Sequence, residues 1–331
     1  MPNTTNSSAE LALQTAAREM VALSDLPEWA SAGRYYEAAK SENTRAAYAV
    51  AWRMFVRWCA ASRVSASDAA PELVATYLAG LADAGRKFST IAVALAGIAY
   101  TLGETGHRLD TRHPGLSRVM SGIRREVGVR PAKKTALVGG DIATILKACG
   151  DTLGGTRDRA LLALGWCGAF RRSELVALDV SDIAFTEDGI VATVRRSKTD
   201  QSGEGLSKAI PYASNPKVCA VRAVRAWLDA SGVVSGPLFR AVDQVGRVGA
   251  ERLGGHVVCR IVKLHAAKGG RDPKAFGGHS LRSGFITTAA KKGKALDAIM
   301  RQSGHKSHAV AMGYIQAASL FDDSAAAVGL L

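Results

Sequence analysis

Apolar side chains recur every three or four residues through residues 41–129, which is the spacing of one face of a helix. Pro71 suits the first turn of a helix, and Gly85 suits its end. Ser89 or Thr90 can open the next helix, and Pro114 can open another. The apolar stripe of the first helix consists of Tyr48, Trp52, Phe55, Val56 and Cys59. These positions predict four helices around one core.

Residues 136–331 combine helical periodicity with one short β segment. Apolar-periodic stretches predict helices over about Gly140–Cys149 and about Thr156–Gly168. The period then changes to two, because Ile190, Ala192 and Val194 alternate with their neighbours. Residues 195–212 (RRSKTDQSGEGLSKAIPY) follow and predict a hairpin. The expected fold class is therefore mainly α with a small β hairpin or sheet, α+β.

Punctuating residues divide the chain into four parts. Residues 1–40 begin polar and are interpreted as a mobile N-terminal arm, in which a helix can form over about Ala9–Leu23 before Pro27 and Gly33 interrupt the chain. Residues 41–129 are expected to form a helical domain. Residues 130–135, within the stretch GVRPAKKT, are the predicted linker, and residues 136–331 form a second domain.

Composition points to a globular protein with a polyanionic partner. The 331 residues are 47% hydrophobic and carry a formal net charge of +14. Nucleic acid is favoured over a membrane surface, because the sequence has neither a long basic amphipathic helix nor an apolar run long enough to span a bilayer. The N-terminus lacks the pattern of a signal peptide. Five scattered cysteines without a CxxC pair predict reduced thiols in an intracellular protein.

The stretch from Ala275 to Gln316 holds the strongest candidate chemistry. His279 and Arg282 are three apart, so on a helix they share a face. His305 follows Gly304, where a glycine can end a helix, and a new helix is expected to carry Tyr314 at its end. A guanidinium matches phosphate oxygens in two-point geometry, and a phenol surrounded by cations can act as a nucleophile. Ser307 is the expected cap of that last helix.

The order of these motifs resembles the signature of the tyrosine recombinases, also called phage-type integrases. GHSLR is followed by SGH and then by Tyr314, nine residues after His305. Upstream, GAFRRSELVAL supplies Arg171 with Glu174 three residues later. The resemblance is closest to Cre-type site-specific recombinases and covers about residues 41–331. It implies a helical core-binding DNA domain followed by the family's catalytic domain.

The resemblance implies roles for seven residues. Tyr314 would attack a DNA phosphodiester and form a 3′-phosphotyrosine, while the two arginines bind the non-bridging oxygens. A lysine in the hairpin, Lys198, would protonate the leaving 5′-oxygen; Arg195, Arg196 and Lys208 are nearby rivals for this role. Glu174 would orient an arginine, and the histidines would assist proton transfer or contact the phosphate. The expected catalytic set is Arg171, Glu174, Lys198, His279, Arg282, His305 and Tyr314.

Neither ATP, a metal nor another cofactor is expected, because the covalent link conserves the energy of the bond. His305 and His308 are three apart, but the sequence shows no third metal ligand of fitting spacing. The candidate DNA-binding residues are basic positions on the predicted helices and linker: Arg45, Arg53, Arg86, Lys87, Arg124, Arg125, Lys133 and Lys134.

The resemblance also implies partners. It predicts double-stranded DNA with inverted-repeat half-sites, a homotetramer on two synapsed duplexes linked by exchange of the tail from Ala318 to Leu331, and a cytoplasmic, nucleoid-associated location. Two alternatives stay open. A non-catalytic DNA-binding regulator could use Leu296–Tyr314 as a helix-turn-helix, and a type IB topoisomerase would share the chemistry without paired sites.

Overall fold

The computed structural model describes residues 23–67, 69–128, 134–195 and 205–318, with only the backbone described for 315–318. The chain divides into two compact units, Met1–Pro131 and Ala132–Leu331. This division falls within the predicted linker, residues 130–135, of which residues 130–133 lie outside the described ranges.

The described part of the first unit is helical. Its α-helices are α1 (Pro27–Ala38), α2 (Glu42–Ala61), α3 (Pro71–Asp83), α4 (Phe88–Glu104) and α5 (Pro114–Val127). The Ser41 side chain caps α2 by accepting a hydrogen bond from the Thr44 N–H at 3.3 Å. Gly85 ends the α3 turn with φ +70°, as expected of a glycine after a helix. The following helix, α4, begins at Phe88, slightly before the predicted Ser89 or Thr90 cap.

Helix α1 corrects the prediction that Pro27 and Gly33 interrupt the chain. Pro27 lies at the first turn, where its missing N–H leaves no helical bond unmade. Gly33 lies inside the helix, because a single glycine destabilises a helix by only about 1 kcal/mol relative to alanine. None of the residues of α1 is buried. The expected helix over Ala9–Leu23 falls almost entirely outside the described residues.

The core of the first unit forms where the apolar stripes of α2 to α5 meet. Phe55, Leu78, Ile91, Ile98 and Leu116 are fully buried there. Val56, predicted to face the core, is instead 38% exposed. It directly follows Phe55, and one residue rotates the side chain by about 100° around a helix of 3.6 residues per turn.

The second unit consists of helices and two small antiparallel sheets. Its α-helices are α6 (Gly139–Lys147), α7 (Leu153–Cys167), α8 (Arg172–Ala177), α9 (Ala220–Ser231), α10 (Gly255–Lys268), α11 (His279–Lys291), α12 (Leu296–Ser303) and α13 (His308–Ala318). Its strands are β1 (Ile183–Phe185), β2 (Gly189–Val194), β3 (Leu206–Pro211), β4 (Arg240–Val242) and β5 (Val248–Arg252). The predicted fold class, mainly α with a small β part, is confirmed.

The predicted hairpin is present. Strands β2 and β3 pair antiparallel, with Ala192 opposite Lys208, and β1 pairs with the other edge of β2. Residues 196–204, which connect β2 to β3, lie outside the described residues, and they include the candidate acid Lys198. Strands β4 and β5 form the second sheet.

Helix α7 is the centre of the second unit, because Ala160 to Gly165 are buried on all sides. It packs against α9 and α11. Helix α11 lies very close to the segment after the linker: a Cβ at Gly284 would lie 1.9 Å from the Leu137 carbonyl oxygen. The Leu137 N–H donates to the Ser280 carbonyl at 3.0 Å, which fixes the start of α11. Every helix in the described ranges is too short or too polar to span a membrane.

Candidate active site

The first turn of α11 carries His279 and Arg282, as predicted. Ser280 Oγ accepts a hydrogen bond from the Gly277 N–H at 3.0 Å and stabilises the start of this helix. The two side chains differ in depth, because Arg282 is 1% exposed whereas His279 is open to solvent. The helix therefore presents an imidazole at the surface above a buried guanidinium.

Gly304 ends α12 in the left-handed conformation, with φ +66°, and this confirms the predicted glycine cap. The chain then turns through His305 into α13, whose start is capped by Ser307 Oγ, 3.5 Å from the Val310 N–H. Tyr314 lies inside α13 and not at its end, because the helix continues to Ala318.

Arg171 immediately precedes α8 and is held by Glu174. One Glu174 carboxylate oxygen lies 2.6 Å from the Arg171 guanidinium, and the other accepts the Arg171 backbone N–H at 2.9 Å. The Glu174 side chain is 3% exposed, so this ion pair is shielded from water. A second guanidinium nitrogen of Arg171 donates to the Gly304 carbonyl at 3.4 Å. This contact joins the loop before α8 to the loop after α12.

Arg282 lies between the same two loops. Its guanidinium donates to the Ala169 carbonyl at 2.9 Å and to the Ser303 carbonyl, and another nitrogen lies 3.0 Å from His305 Nε2. Burial and the neighbouring Arg171 lower the pKa of Arg282 to about 10, with Glu174 partly offsetting them. The group is therefore still a cation at neutral pH.

His305 is neutral at physiological pH. Burial first, and then the charges of Arg282 and Arg171, lower its pKa to about 4. Because arginine only donates, the Nε2 atom facing Arg282 is the acceptor, and the proton sits on Nδ1, 2.8 Å from Ser303 Oγ. The ring orientation is thus set by partners on both sides.

The Tyr314 hydroxyl lies 3.1 Å from His279 Nε2, and the Tyr314 ring lies 5.9 Å from the ring of His305. Partial desolvation, followed by the charges of Arg282 and Arg171, lowers the pKa of His279. The neutral imidazole next to the phenol can accept a proton. Four motifs that are far apart in sequence, around Arg171, Arg282, His305 and Tyr314, therefore meet in one connected site.

Two rivals of Lys198, Lys208 and Arg195, lie within the described residues, and both are bound to other groups of the protein. Lys208 is 0% exposed, and its Nζ donates to the Gly168 carbonyl at 2.8 Å and the Gln302 carbonyl at 2.5 Å. Arg195 binds Asp182 at 2.6 Å and Asp179 at 3.3 Å. Lys198 and Arg196 lie outside the described residues, so the assignment of the acid stays a prediction.

Sequence reasoning did not single out Gln302 and Ser303 at the end of α12. Gln302 Nε2 donates to the Cys167 carbonyl at 3.0 Å and the Ala209 carbonyl at 3.1 Å, and Ser303 Oγ contacts His305. The available signal was two polar residues directly before the capping Gly304. In the described ranges, no group of three His, Cys, Asp or Glu residues is placed to hold a metal ion.

The candidate DNA-binding residues that the structure describes are all exposed: Arg45, Arg53, Arg86, Lys87, Arg124, Arg125 and Lys134. Arg45 lies 3.6 Å from Glu37, and Lys134 Nζ donates to the Lys274 carbonyl at 2.6 Å. Lys133 lies outside the described residues. These exposed cations can reach a phosphate backbone, and their role in DNA binding stays a prediction.

Comparison with known proteins identifies the family. The model of the phage integrase family matches residues 136–320. A relative from Selenomonas ruminantium, the integrase/recombinase xerD homolog, is 37% identical over 298 residues, which is 89% of this chain and 87% of the relative. The chain belongs to the phage integrase family. The predicted tyrosine recombinase resemblance is thereby confirmed, and the chain is a site-specific tyrosine recombinase.

Solved structures show that the phage integrase fold is shared. A lambda integrase fragment, solved as a dimer bound to a COC′ core site, matches with a TM-score of 0.55 at 17% identity, covering 88% of this chain and 95% of that one. XerH recombinase, in a post-cleavage complex with palindromic difH, matches with a TM-score of 0.54 at 17% identity, covering 78% and 70%. Closeness to the Cre-type enzymes stays a prediction.

Proposed function

We propose that this protein cuts and rejoins DNA at specific sites through a covalent bond between Tyr314 and a DNA 3′-phosphate. The observation that carries the proposal is one connected set of contacts: the Tyr314 hydroxyl lies 3.1 Å from His279 Nε2, the Tyr314 ring lies 5.9 Å from the His305 ring, and Arg282 contacts His305. Arg171 joins this set through the Gly304 carbonyl. Cations, neutral imidazoles and a phenol are the groups that phosphoryl transfer to tyrosine requires.

The arginines are the groups that the proposal assigns to the phosphate. A guanidinium matches phosphate oxygens in two-point geometry, and Arg171 and Arg282 both belong to this site. In the proposal they bind the non-bridging oxygens as charge develops on them; one preorganised donor contributes roughly 3–4 kcal/mol in acyl-transfer sites.

In the proposed step, Tyr314 Oη forms a bond to phosphorus while its proton passes to neutral His279, and the bond from phosphorus to the 5′-oxygen breaks. Lys198 supplies the proton to that leaving oxygen. A 5′-hydroxyl from a partner strand reverses the step and joins the exchanged strands, so neither ATP nor a metal is required.

The partner in this proposal is double-stranded DNA with inverted-repeat half-sites. The net charge of +14 and the exposed cations of the first unit support it. The xerD homolog from Selenomonas ruminantium is named an integrase/recombinase, and the XerH and lambda integrase structures contain DNA sites. We extend the proposal to a homotetramer on two synapsed duplexes and to a cytoplasmic, nucleoid-associated location.

The experiment is covalent capture on a nicked suicide DNA substrate. Wild-type protein should form an adduct, whereas Tyr314→Phe should bind the same DNA with unchanged affinity and form none. Tyr212→Phe is the control, since Tyr212 is a partly exposed tyrosine of the same unit that packs against Arg222. A trapped adduct with the Tyr314→Phe protein would place the nucleophile elsewhere.

The two alternatives give different results. A non-catalytic regulator would form no adduct with any variant, and it would leave the ordered contacts of Arg171 and Arg282 without a use. A type IB topoisomerase would form the adduct but would need no second site. A recombination assay with one site or two sites on a plasmid therefore separates it from the recombinase.

A further inference from the structure

Lys208 is a buried basic residue that the proposed mechanism does not use. It lies on β3, and its ammonium is 4.9 Å from the centre of the Phe170 ring. Its two hydrogen-bond acceptors are backbone carbonyls from different helix ends: Gly168 follows α7, and Gln302 belongs to the last turn of α12. Taking a lysine out of water is unfavourable, so these partners must compensate for its burial.

Arg282 makes the same kind of bridge one residue further along each chain segment. Lys208 joins Gly168 to Gln302, and Arg282 joins Ala169 to Ser303. The ends of helices α7 and α12 both present carbonyl groups, and a helix C-terminus carries partial negative charge. Two basic side chains thus hold two helix ends of partial negative charge together.

We call this arrangement the helix-end clamp: the basic side chains of Lys208, Arg282 and Arg171, with the carbonyls of residues 168–169 and 302–304. Gln302 Nε2 adds an uncharged bridge to the Cys167 and Ala209 carbonyls. The carbonyl groups of the clamp lie directly before two of the proposed catalytic residues in sequence. Arg171 is two residues after Ala169, and His305 is two residues after Ser303.

The bridge made by Lys208 does not depend on its protonation state. Burial, together with the charges of Arg282 and Arg171, lowers its pKa to about 7, while Glu174 acts in the opposite direction. A neutral amine still carries two N–H groups, which is the number of carbonyls it faces. The contact therefore persists on either side of neutral pH.

We propose that Lys208 is a positioning residue for strand cleavage, which fixes the loops of Arg171 and His305 relative to each other without touching the DNA. The inference rests on the proposed function, because the two loops matter only if they bind the reacting phosphate. Since no part of Lys208 is exposed, it acts through the backbone and not as the acid.

The test is the single-turnover rate of adduct formation by Lys208→Met on two suicide substrates, one with an ordinary 5′-oxygen leaving group and one with a 5′-thio leaving group. Methionine keeps much of the side-chain volume and removes both hydrogen bonds, to the Gly168 and Gln302 carbonyls. A displacement of about 1 Å at a catalytic group can slow a reaction about 100-fold, so we expect a loss of about that size on both substrates. Lys208→Arg, which keeps donors and charge, should recover most of the rate.

The leaving-group comparison separates positioning from acid catalysis. A thiolate needs little protonation to leave. The 5′-thio substrate would therefore restore the cleavage rate of a variant that lacks the acid, but not the rate of a variant whose catalytic loops are displaced. Trp227→Phe is the matched structural control, because Trp227 is fully buried in the same unit and donates to the Leu238 carbonyl at 2.8 Å. It should lower the melting temperature and leave cleavage intact.

Three results would overturn the inference: a wild-type rate for folded Lys208→Met, rescue of its rate by the 5′-thio substrate, or an equal rate loss in Trp227→Phe. If Lys208→Met does not fold, Gln302→Met decides, since it removes only the uncharged bridge of the clamp at a partly exposed position. It should slow both substrates equally, and an unchanged rate would contradict the clamp. Absence of any adduct from wild-type protein would refute the proposed function itself.

Discussion

The helix-end clamp holds the arginines that are proposed to bind the phosphate, whereas helix α13 carries the proposed nucleophile. The two regions differ in burial and in the number of contacts that hold their side chains. In the clamp, Arg282 and Lys208 are almost fully buried, and each has two or more protein partners. On α13, the described contacts of the Tyr314 hydroxyl consist of one hydrogen bond, to the exposed His279. Val310 and Met312 on the same helix are 52% and 37% exposed.

This difference in burial and contacts separates groups that are fixed before the reaction from a group that can move into place. Donors that stabilise developing charge act best when they are fixed before the reaction, because no reorganisation is then needed. A nucleophile can instead be brought into place, and Gly313 next to Tyr314 has open space where a Cβ would lie. A nucleophile helix with exposed apolar residues fits the proposed tetramer, in which cleavage waits for a partner. The exchange tail was expected over Ala318 to Leu331, and its residues 319–331 lie outside the described residues.

The largest expected effect comes from removing the charged centre of the clamp. Arg282→Met should reduce adduct formation on the order of 1,000-fold, because it removes a phosphate donor worth roughly 3–4 kcal/mol as well as a bridge between the helix ends. Arg282→Lys should recover little of this, since an ammonium cannot reproduce the two-point geometry of a guanidinium. Rates of single-turnover cleavage at saturating DNA provide the measurement. A loss no larger than that of Lys208→Met would mean that Arg282 only positions the loops.

Glu174→Gln should have a smaller effect, about a 10-fold loss of cleavage, which corresponds to about 1.4 kcal/mol of transition-state stabilisation. Glutamine can still accept the Arg171 N–H but cannot pair with its guanidinium. Asp158→Asn is the control, because Asp158 forms a buried ion pair with Arg157 at 2.6 Å in the same unit and a hydrogen bond with His265 Nε2 at 2.7 Å. It should lower stability without a specific loss of cleavage, and equal catalytic losses in both variants would show that Glu174 is merely structural.

The smallest expected effect is a pH dependence of stability in the DNA-free protein. The folded pKa of His305, about 4, lies below its unfolded value of about 6.5, so the unfolded state binds the proton first as the pH falls. His305 should therefore remove about 2 kcal/mol of unfolding free energy between pH 6.5 and pH 4, after allowance for its partial exposure. In denaturant titrations, the difference in unfolding free energy between wild-type and His305→Gln proteins should be constant above pH 7 and should change below pH 6. Parallel curves across this range would contradict the buried, neutral imidazole.

Local patterns in the sequence were sufficient for much of the fold. Helical spacing located α2 to α7, the change of period located β2, and Gly304 located the end of α12. Spacing did not predict depth, so Val56 was placed in the core although it is exposed. Helix α1 was missed because the local signals of Pro27 and Gly33 were interpreted as breaks.

The candidate site was also predicted only in part from the sequence. The motif spacing selected six residues that the structure brings together: Arg171, Glu174, His279, Arg282, His305 and Tyr314. It gave no sign that Arg282 would be buried and His279 exposed on one helix. The bridges of Lys208 and Gln302 could not be predicted either, because their partners are backbone carbonyls, which every residue has and which leave no pattern in the sequence.

The most direct test of the account is to identify the amino acid that becomes attached to DNA. Wild-type protein should be trapped on a nicked suicide substrate and digested, and the nucleotide-bearing peptide should be sequenced by mass spectrometry. The account predicts a single modified peptide in which the 3′-phosphate is carried by Tyr314. Attachment to any other residue, or to a 5′-phosphate, would contradict it.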